Sequence, residues 1–374
     1  MPRIRVMLVV GARPQFIKSA PVIREMLSNH REIDLSIIHS GQHYDREMSE
    51  IFFRELEIPR PLVNLHAGSG SHAAQTATIM NRLEHFMLTE EPNLVAVPGD
   101  TNTTLAAALA AAKLGIPVAH IEAGLRSGDI LMPEEINRKL TDHCSTLLFA
   151  PTKTAIRNLK REGLGKSAYL TGDTMVDALH IVMPAVLERE KTVLRRYGVQ
   201  TRGYVLVTLH RPSNVDDSNR LREIQLALQK VAESSRVVFA VHPRTRERLV
   251  KMRTLENLTG TGVIVTKPLS YLETLSFLRN SSCLVTDSGG MQKESFLLQV
   301  PCITVRSTTE WPETLEGGAN RLVANPQIIP TAVSDIMAHK AFRERIRPSK
   351  RPFGDGYASE KIVRIIRKTF RGSA

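Results

Sequence analysis

Residues 117–127, Pro117-Val118-Ala119-His120-Ile121-Glu122-Ala123-Gly124-Leu125-Arg126-Ser127, pass from a short apolar, β-like run directly into charged and glycine-bearing chain. Pro133-Glu134-Glu135-Ile136-Asn137-Arg138 and Asp142-His143 follow at once. A strand that ends in carboxylates, arginines and histidines has the character of the carboxyl edge of an open parallel sheet, the edge on which the ligand crevice opens. The pattern recurs. Gly11-Ala12-Arg13-Pro14-Gln15, Gly41-Gln42-His43-Tyr44-Asp45 and Gly99-Asp100-Thr101-Asn102-Thr103 follow the apolar runs Ile4–Val10, Leu35–His39 and Leu94–Val97, and Thr146–Ala150 and Ala168–Thr171 complete this first series. A second series comprises Tyr204–Leu209, Val237–Val241, Val263–Val265, Cys283–Thr286, Cys302–Val305 and Arg321–Val323, with His210-Arg211-Pro212, His242-Pro243-Arg244 and Asp287-Ser288-Gly289-Gly290 at its strand ends. Strands alternating with helical patterns predict βαβ units. The expected fold is therefore α/β, with two doubly wound, Rossmann-like domains and the active site in the cleft between them.

Two domains also suit a chain of 374 residues, since single cores rarely grow past roughly 250 residues. The weakest strand pattern spans residues 173–203, a mainly helical stretch with the charge run Glu188-Arg189-Glu190-Lys191 to Arg195-Arg196. The boundary is placed near 175. Residues 1–175 form the domain that carries the carboxylates, 176–356 the second domain, and 357–374 a closing helix. In that helix Ile362, Val363, Ile365, Ile366 and Phe370 recur at helical spacing, and they leave a solvated basic face.

The net charge of +12 would suit an anionic partner, but the excess is concentrated. Between Lys340 and Arg371 there are eleven Lys/Arg against three acids. No nucleic-acid recognition motif accompanies them, and nucleic acid is not an expected partner. No apolar run approaches the ~20 residues of a membrane span, and Met1-Pro2-Arg3-Ile4-Arg5 leads into a strand pattern instead of a signal peptide. A cytoplasmic protein without a membrane span is expected. Cys144, Cys283 and Cys302 lack C-x-x-C spacing, which argues against a disulfide framework and a thiolate metal site.

Asp287-Ser288-Gly289-Gly290-Met291-Gln292-Lys293-Glu294 opens a helix after a strand. Its glycines allow close backbone approach, and the free N–H groups of a first turn suit a diphosphate. Glu294, one and a half turns along, is placed to accept from ribose hydroxyls, and Arg13 and Lys18 supply positive charge after the first strand. Asp100, Glu134 and Glu135 each have a second explanation as helix N-terminal acids. Glu122 does not, because it follows a strand end and precedes Gly124. His210, beside Arg211 at a strand end, is a candidate functional imidazole. Gly163-Leu164-Gly165-Lys166-Ser167 lacks the first glycine of a P-loop and precedes a strand. Tyr357-Ala358-Ser359-Glu360-Lys361 has a Y-x-x-x-K spacing, but no glycine fingerprint for a nicotinamide cofactor follows the first strand.

Together these motifs resemble the non-hydrolysing UDP-N-acetylglucosamine 2-epimerases, a family with the two-domain glycosyltransferase-B fold. The likeness runs in order through Gly11-Ala12-Arg13-Pro14, Gly99-Asp100-Thr101, Glu122-Ala123-Gly124-Leu125-Arg126, Pro133-Glu134-Glu135-Ile136-Asn137-Arg138, Thr208-Leu209-His210-Arg211, Asp287-Ser288-Gly289-Gly290 and Pro352-Phe353-Gly354-Asp355-Gly356. The resemblance implies interconversion of UDP-N-acetylglucosamine and UDP-N-acetylmannosamine, without cofactor or metal, in a homodimer, with the closing helix 357–374 packing back on the first domain. It implies Asp100, Glu122, Glu134 and His210 as the catalytic set. Arg13, Lys18, Arg138, His242, Ser288, Gly289, Gly290 and Glu294 are implied as substrate contacts. Three departures stand out: Gln15 replaces the usual Glu, Trp311 in Thr309-Glu310-Trp311-Pro312-Glu313 replaces an Arg, and Gln42-His43-Tyr44-Asp45 differs from the pattern of allosterically regulated bacterial members. The alternatives are an epimerase of UDP-2,3-diacetamido-2,3-dideoxyglucuronate and a UDP-sugar glycosyltransferase of the same fold. The carboxylate-rich Glu122–Glu135 segment argues against the latter. A non-enzymatic binding protein that uses the basic tail is a third.

Overall fold

Seven strands of the first series pair in parallel in the order β3-β2-β1-β4-β5-β6-β7. They are β1 (Ile4–Val10), β2 (Ile33–His39), β3 (Val63–Asn64), β4 (Leu94–Pro98), β5 (Val118–Ile121), β6 (Leu147–Ala150) and β7 (Ala168–Leu170). The second series forms a six-stranded sheet in the order β10-β9-β8-β11-β12-β13. Its strands are β8 (Tyr204–Thr208), β9 (Arg236–Ala240), β10 (Val263–Thr266), β11 (Cys283–Thr286), β12 (Cys302–Thr304) and β13 (Asn320–Leu322). This computed structural model describes residues 3–41, 53–338 and 351–371. Gln42-His43-Tyr44-Asp45 and the basic run from Lys340 to Lys350 lie outside the described residues.

The expected α/β class and the two parallel sheets are what the chain forms. Every residue of β4, β5, β6 and β11 is buried, as required of parallel strands covered by helices on both faces. The two-residue β3 is too short to produce a strand pattern in the sequence.

The chain divides into two units, Met1–Val182 with Lys350–Ala374, and Met183–Ser349. The division falls inside the helix Thr174–Arg196. Within the first unit the helix Ala358–Phe370 packs beside the helix Arg13–Ser28, burying Ile362, Val363 and Ile366. Arg367 and Arg371 both reach Glu32, while Asp177 accepts from Ser359 N and Oγ at 2.9 and 2.7 Å. Among the described residues no helix is long and apolar enough to cross a membrane.

Strand order reverses between β1 and β4 in the first sheet and between β8 and β11 in the second. Such switch points open the crevice where ligands bind in this architecture. They bring Gly11 and Gly99 to neighbouring strand ends in one unit, and His210 and Asp287 together in the other.

Candidate active site

At the first switch point Gly11 has no room for a side chain, since a Cβ there would overlap Ser40 Oγ and Thr103 Oγ1. The turn that follows is tied by Gln15, whose Oε1 accepts from Gly11 N at 2.8 Å and Ala12 N at 3.0 Å. Its Nε2 donates to Pro98 O at 2.9 Å and Thr104 Oγ1 at 3.0 Å. The amide, 1% exposed, thus joins the ends of β1 and β4. A carboxylate has no donor for Pro98 O, so Gln15→Glu is expected to lose about 1–3 kcal/mol of stability. A thermal midpoint unchanged by the substitution would contradict that account.

One turn further along the helix Arg13–Ser28, Lys18 Nζ lies 2.8 Å from each carboxylate oxygen of Glu122. Both side chains are nearly buried. Burial alone would lower the Lys18 pKa, but Glu122, then Asp100 and Asp173, outweigh it and hold the ammonium above its ordinary value. Glu122 sits just past β5 with φ +75°, in the left-handed region that side chains other than glycine rarely adopt. Such strain persists where the surroundings enforce it and clusters at functional sites. Here Glu122 N and Ala123 N both donate to Phe149 O, at 3.1 and 3.0 Å.

Asp100, at the end of β4, accepts from Arg138 Nε at 3.0 Å and Nη2 at 2.7 Å. Thr101, not Asp100, caps the following helix Asn102–Lys113. Arg138 is 1% exposed and also donates to Glu135 Oε2 at 2.8 Å. Glu135 in turn accepts from Ser127 N and Oγ, at 2.9 and 3.1 Å. Glu135 is therefore a fixed internal anchor, while the neighbouring Glu134, on the first turn of the helix Pro133–Cys144, is only partly buried. Arg13 opens its own helix and is also partly buried. Lys18, Asp100, Glu122 and Arg138 are thus linked electrostatically on one sheet edge.

In the second unit Asp287, fully buried at the end of β11, is the hub. Its carboxylate accepts from His210 N at 3.1 Å, Arg211 N at 2.9 Å and Asn214 Nδ2 at 3.0 Å, and lies 3.2 Å from His210 Nδ1. Burial alone would raise its pKa, but the bonds from His210, Asn214 and Arg211 outweigh that and hold the carboxyl below its ordinary value. The His210 and His242 rings lie 5.2 Å apart, and His242 caps the helix Pro243–Lys251 by accepting from Arg244 N at 3.2 Å. Ser288 caps the helix Gly289–Leu297 through Met291 N at 3.4 Å. A Cβ at Gly289 would overlap the Glu310 carboxylate and force it to shift. Gly290 has no such crowding. Glu294 is 4% exposed and hydrogen-bonded to the Tyr271 hydroxyl. Trp311 is buried at the position where a cation was expected, with Lys293 Nζ 3.9 Å above its ring. Among the described residues no cluster of His, Cys, Asp and Glu could hold a metal ion.

Residue types alone did not reveal the buried pair His120–Asp142, the hub role of Asp287 or the Gln15 tie. Each depends on partners 22 to 89 positions away.

Two parallel, doubly wound sheets with polar clusters at both switch points define an α/β protein of the glycosyltransferase-B-like class. Its structure superposes with a TM-score of 0.89 on the crystal structure of Methanocaldococcus jannaschii UDP-GlcNAc 2-epimerase in complex with UDP-GlcNAc and UDP, at 43% identity over 97% of this chain and 99% of that one. In sequence it is 44% identical to the UDP-N-acetylglucosamine 2-epimerase of M. jannaschii, over 96% of this chain and 98% of the relative. It is also 40% identical to the UDP-2,3-diacetamido-2,3-dideoxy-D-glucuronate 2-epimerase of Pseudomonas aeruginosa, over 97% and 99%. The model of the UDP-N-acetylglucosamine 2-epimerase family matches residues 25–367, and the chain belongs to that family.

Proposed function

We propose that the protein interconverts UDP-N-acetylglucosamine and UDP-N-acetylmannosamine. The C2 proton of the sugar has no adjacent carbonyl and is scarcely acidic. Departure of UDP from C1 supplies the electron sink: the C1–O bond breaks, the C2 proton leaves, and a 2-acetamidoglucal remains beside UDP. Protonation of C2 on the opposite face and return of UDP to C1 invert the centre. This chemistry needs acid and base groups near C2 and donors or cations on the leaving diphosphate. The observation that carries the assignment is the buried Lys18–Glu122 pair beside the Asp100–Arg138 pair at a topological switch point.

In this assignment Asp100, Glu122 and Glu134 supply the proton-transfer groups of the first unit and His210 that of the second. Arg13, Lys18, Arg138, His242, Ser288, Gly289, Gly290 and Glu294 are the substrate contacts, and Lys18 and Arg138 also fix Glu122 and Asp100. Plain UDP-N-acetylglucosamine is favoured over the diacetamido uronate. A C6 carboxylate would need a partner, since an unpaired buried charge costs several kcal/mol. Lys18, Arg126 and Arg138 are already paired with Glu122, with Asp142 and Glu162, and with Asp100 and Glu135. The assignment carries with it a homodimeric, cytoplasmic enzyme that needs no metal or redox cofactor.

Proton NMR with UDP-N-acetylglucosamine in D2O tests it directly. The expected result is growth of N-acetylmannosamine signals with loss of the C2 proton in both sugars, unaffected by exhaustive chelation. Release of UDP without C2 exchange, or a requirement for a divalent ion, would overturn it.

A further inference from the structure

His120 and Asp142 are not needed as proton-transfer groups in the reaction above, yet they form a fully buried polar pair on the first sheet edge. Both side chains are 0% exposed. His120 Nε2 donates to Gly99 O at 2.7 Å, and Nδ1 lies 2.6 Å from Asp142 Oδ1. The second carboxylate oxygen of Asp142 accepts from Gly124 N at 3.1 Å and from Arg126 at 2.8 Å. Burial alone would raise the Asp142 pKa, but His120 and Arg126 hold it below the ordinary carboxylate range. Asp142 lies near the end of the helix whose first turn carries Glu134.

Three chain segments therefore meet on one buried hydrogen-bonded pair. Gly99 is the residue before Asp100, and its φ of +71° fixes the direction in which the chain leaves β4. Gly124 closes the strained turn that begins at Glu122. The helix of Asp142 carries Glu134. An imidazole with both nitrogens bonded cannot rotate without breaking both contacts, and the short buried bonds leave little slack.

We propose that His120 and Asp142 are positioning residues of this reaction, which set the mutual geometry of Asp100, Glu122 and Glu134 by tying their three backbone segments together. The proposal rests on the assignment of those carboxylates as the proton-transfer set. Both side chains are enclosed by protein, and neither is assigned a substrate contact. Loss of either should relax the spacing of the carboxylates while leaving the Ser288–Gly290 turn of the second unit intact. Ångström-scale misplacement of reacting groups is enough to cost about 10²-fold in rate.

The test compares the parent protein with His120→Asn, Asp142→Asn and Glu162→Gln. Readouts are C2 exchange in D2O, kcat, KM and calorimetric UDP affinity. His120→Asn and Asp142→Asn are expected to lower kcat about 10²-fold. KM and UDP affinity should stay within about threefold, the signature of an interaction that matters in the transition state. Glu162→Gln, at the outer end of the Arg126 contact, should change kcat by less than about threefold. A folded His120→Asn or Asp142→Asn protein with near-parent kcat overturns the proposal. So does a loss that falls equally on UDP affinity, or failure of both variants to fold, since the pair would then serve general stability. Absence of C2 exchange in the parent would instead remove the underlying assignment.

Discussion

Glu122→Gln is expected to lower kcat about 10³-fold, within the range of a lost acid/base group, and to destabilise the first unit as well. The amide keeps the shape of the carboxylate but not its charge, and it leaves the Lys18 ammonium buried without its principal counter-ion. Breaking such a pair from one side costs about 3–5 kcal/mol. The pH dependence has a defined sign. Lys18 is held above its ordinary value by the carboxylates around it. Its stabilising contribution is therefore complete below about pH 10.4 and is lost as pH rises through the folded-state value. Adding Lys18→Met to Glu122→Gln removes the stranded charge, so the double variant should recover stability but not turnover. Thermal unfolding and D2O exchange separate the two effects. Turnover of Glu122→Gln within threefold of the parent would remove Glu122 from the chemistry.

Asp287→Asn should act on the second unit with comparable force. Its carboxylate accepts from two backbone N–H groups and the Asn214 amide, and faces the His210 ring. An asparagine has one accepting oxygen, and its NH2 would turn toward donors at a fully buried position. About 3 kcal/mol or more of stability should be lost, and turnover about 10²-fold through displacement of His210. Because the Asp287 carboxyl is held below its ordinary value, its contribution is present above about pH 3.9. It fades as pH falls through the folded-state value. A plot of unfolding midpoint against pH should accordingly be flatter on its acid limb for Asp287→Asn than for the parent. Equal acid limbs together with unchanged kcat would refute the hub role.

The strands were legible because β-branched and apolar runs of four to seven residues are the direct imprint of parallel strands buried on both faces. Ile4–Val10 and Cys283–Thr286 have the same bounds in the sequence pattern and in the structure. The positions of Asp100, Glu122 and His210 at strand ends were legible for the same reason. Pairing was not. Lys18 reads in sequence as a cation for diphosphate, and only the fold brings it to a carboxylate 104 residues away. Asp100 and Glu135 both looked like helix-start acids. The structure separates them from each other through Arg138, which leaves Asp100 partly exposed and Glu135 buried. At position 311 the sequence shows a lost guanidinium, and the structure shows Lys293 over the indole ring. Local spacing cannot anticipate a contact that joins two different elements.

The placement of helix Ala358–Phe370 has a consequence for how the molecule is made. The first unit is not continuous in the chain: its last segment begins at Lys350, beyond every residue of the second unit. During synthesis the seven-stranded sheet emerges first, but the residues that cover helix Arg13–Ser28 and engage Glu32 and Asp177 leave the ribosome only after the whole of the second unit. Vectorial folding, in which an N-terminal domain completes itself before the next appears, is thus unavailable to this chain. The nascent first unit must wait, with that apolar helix face uncovered, until the second unit has been synthesised.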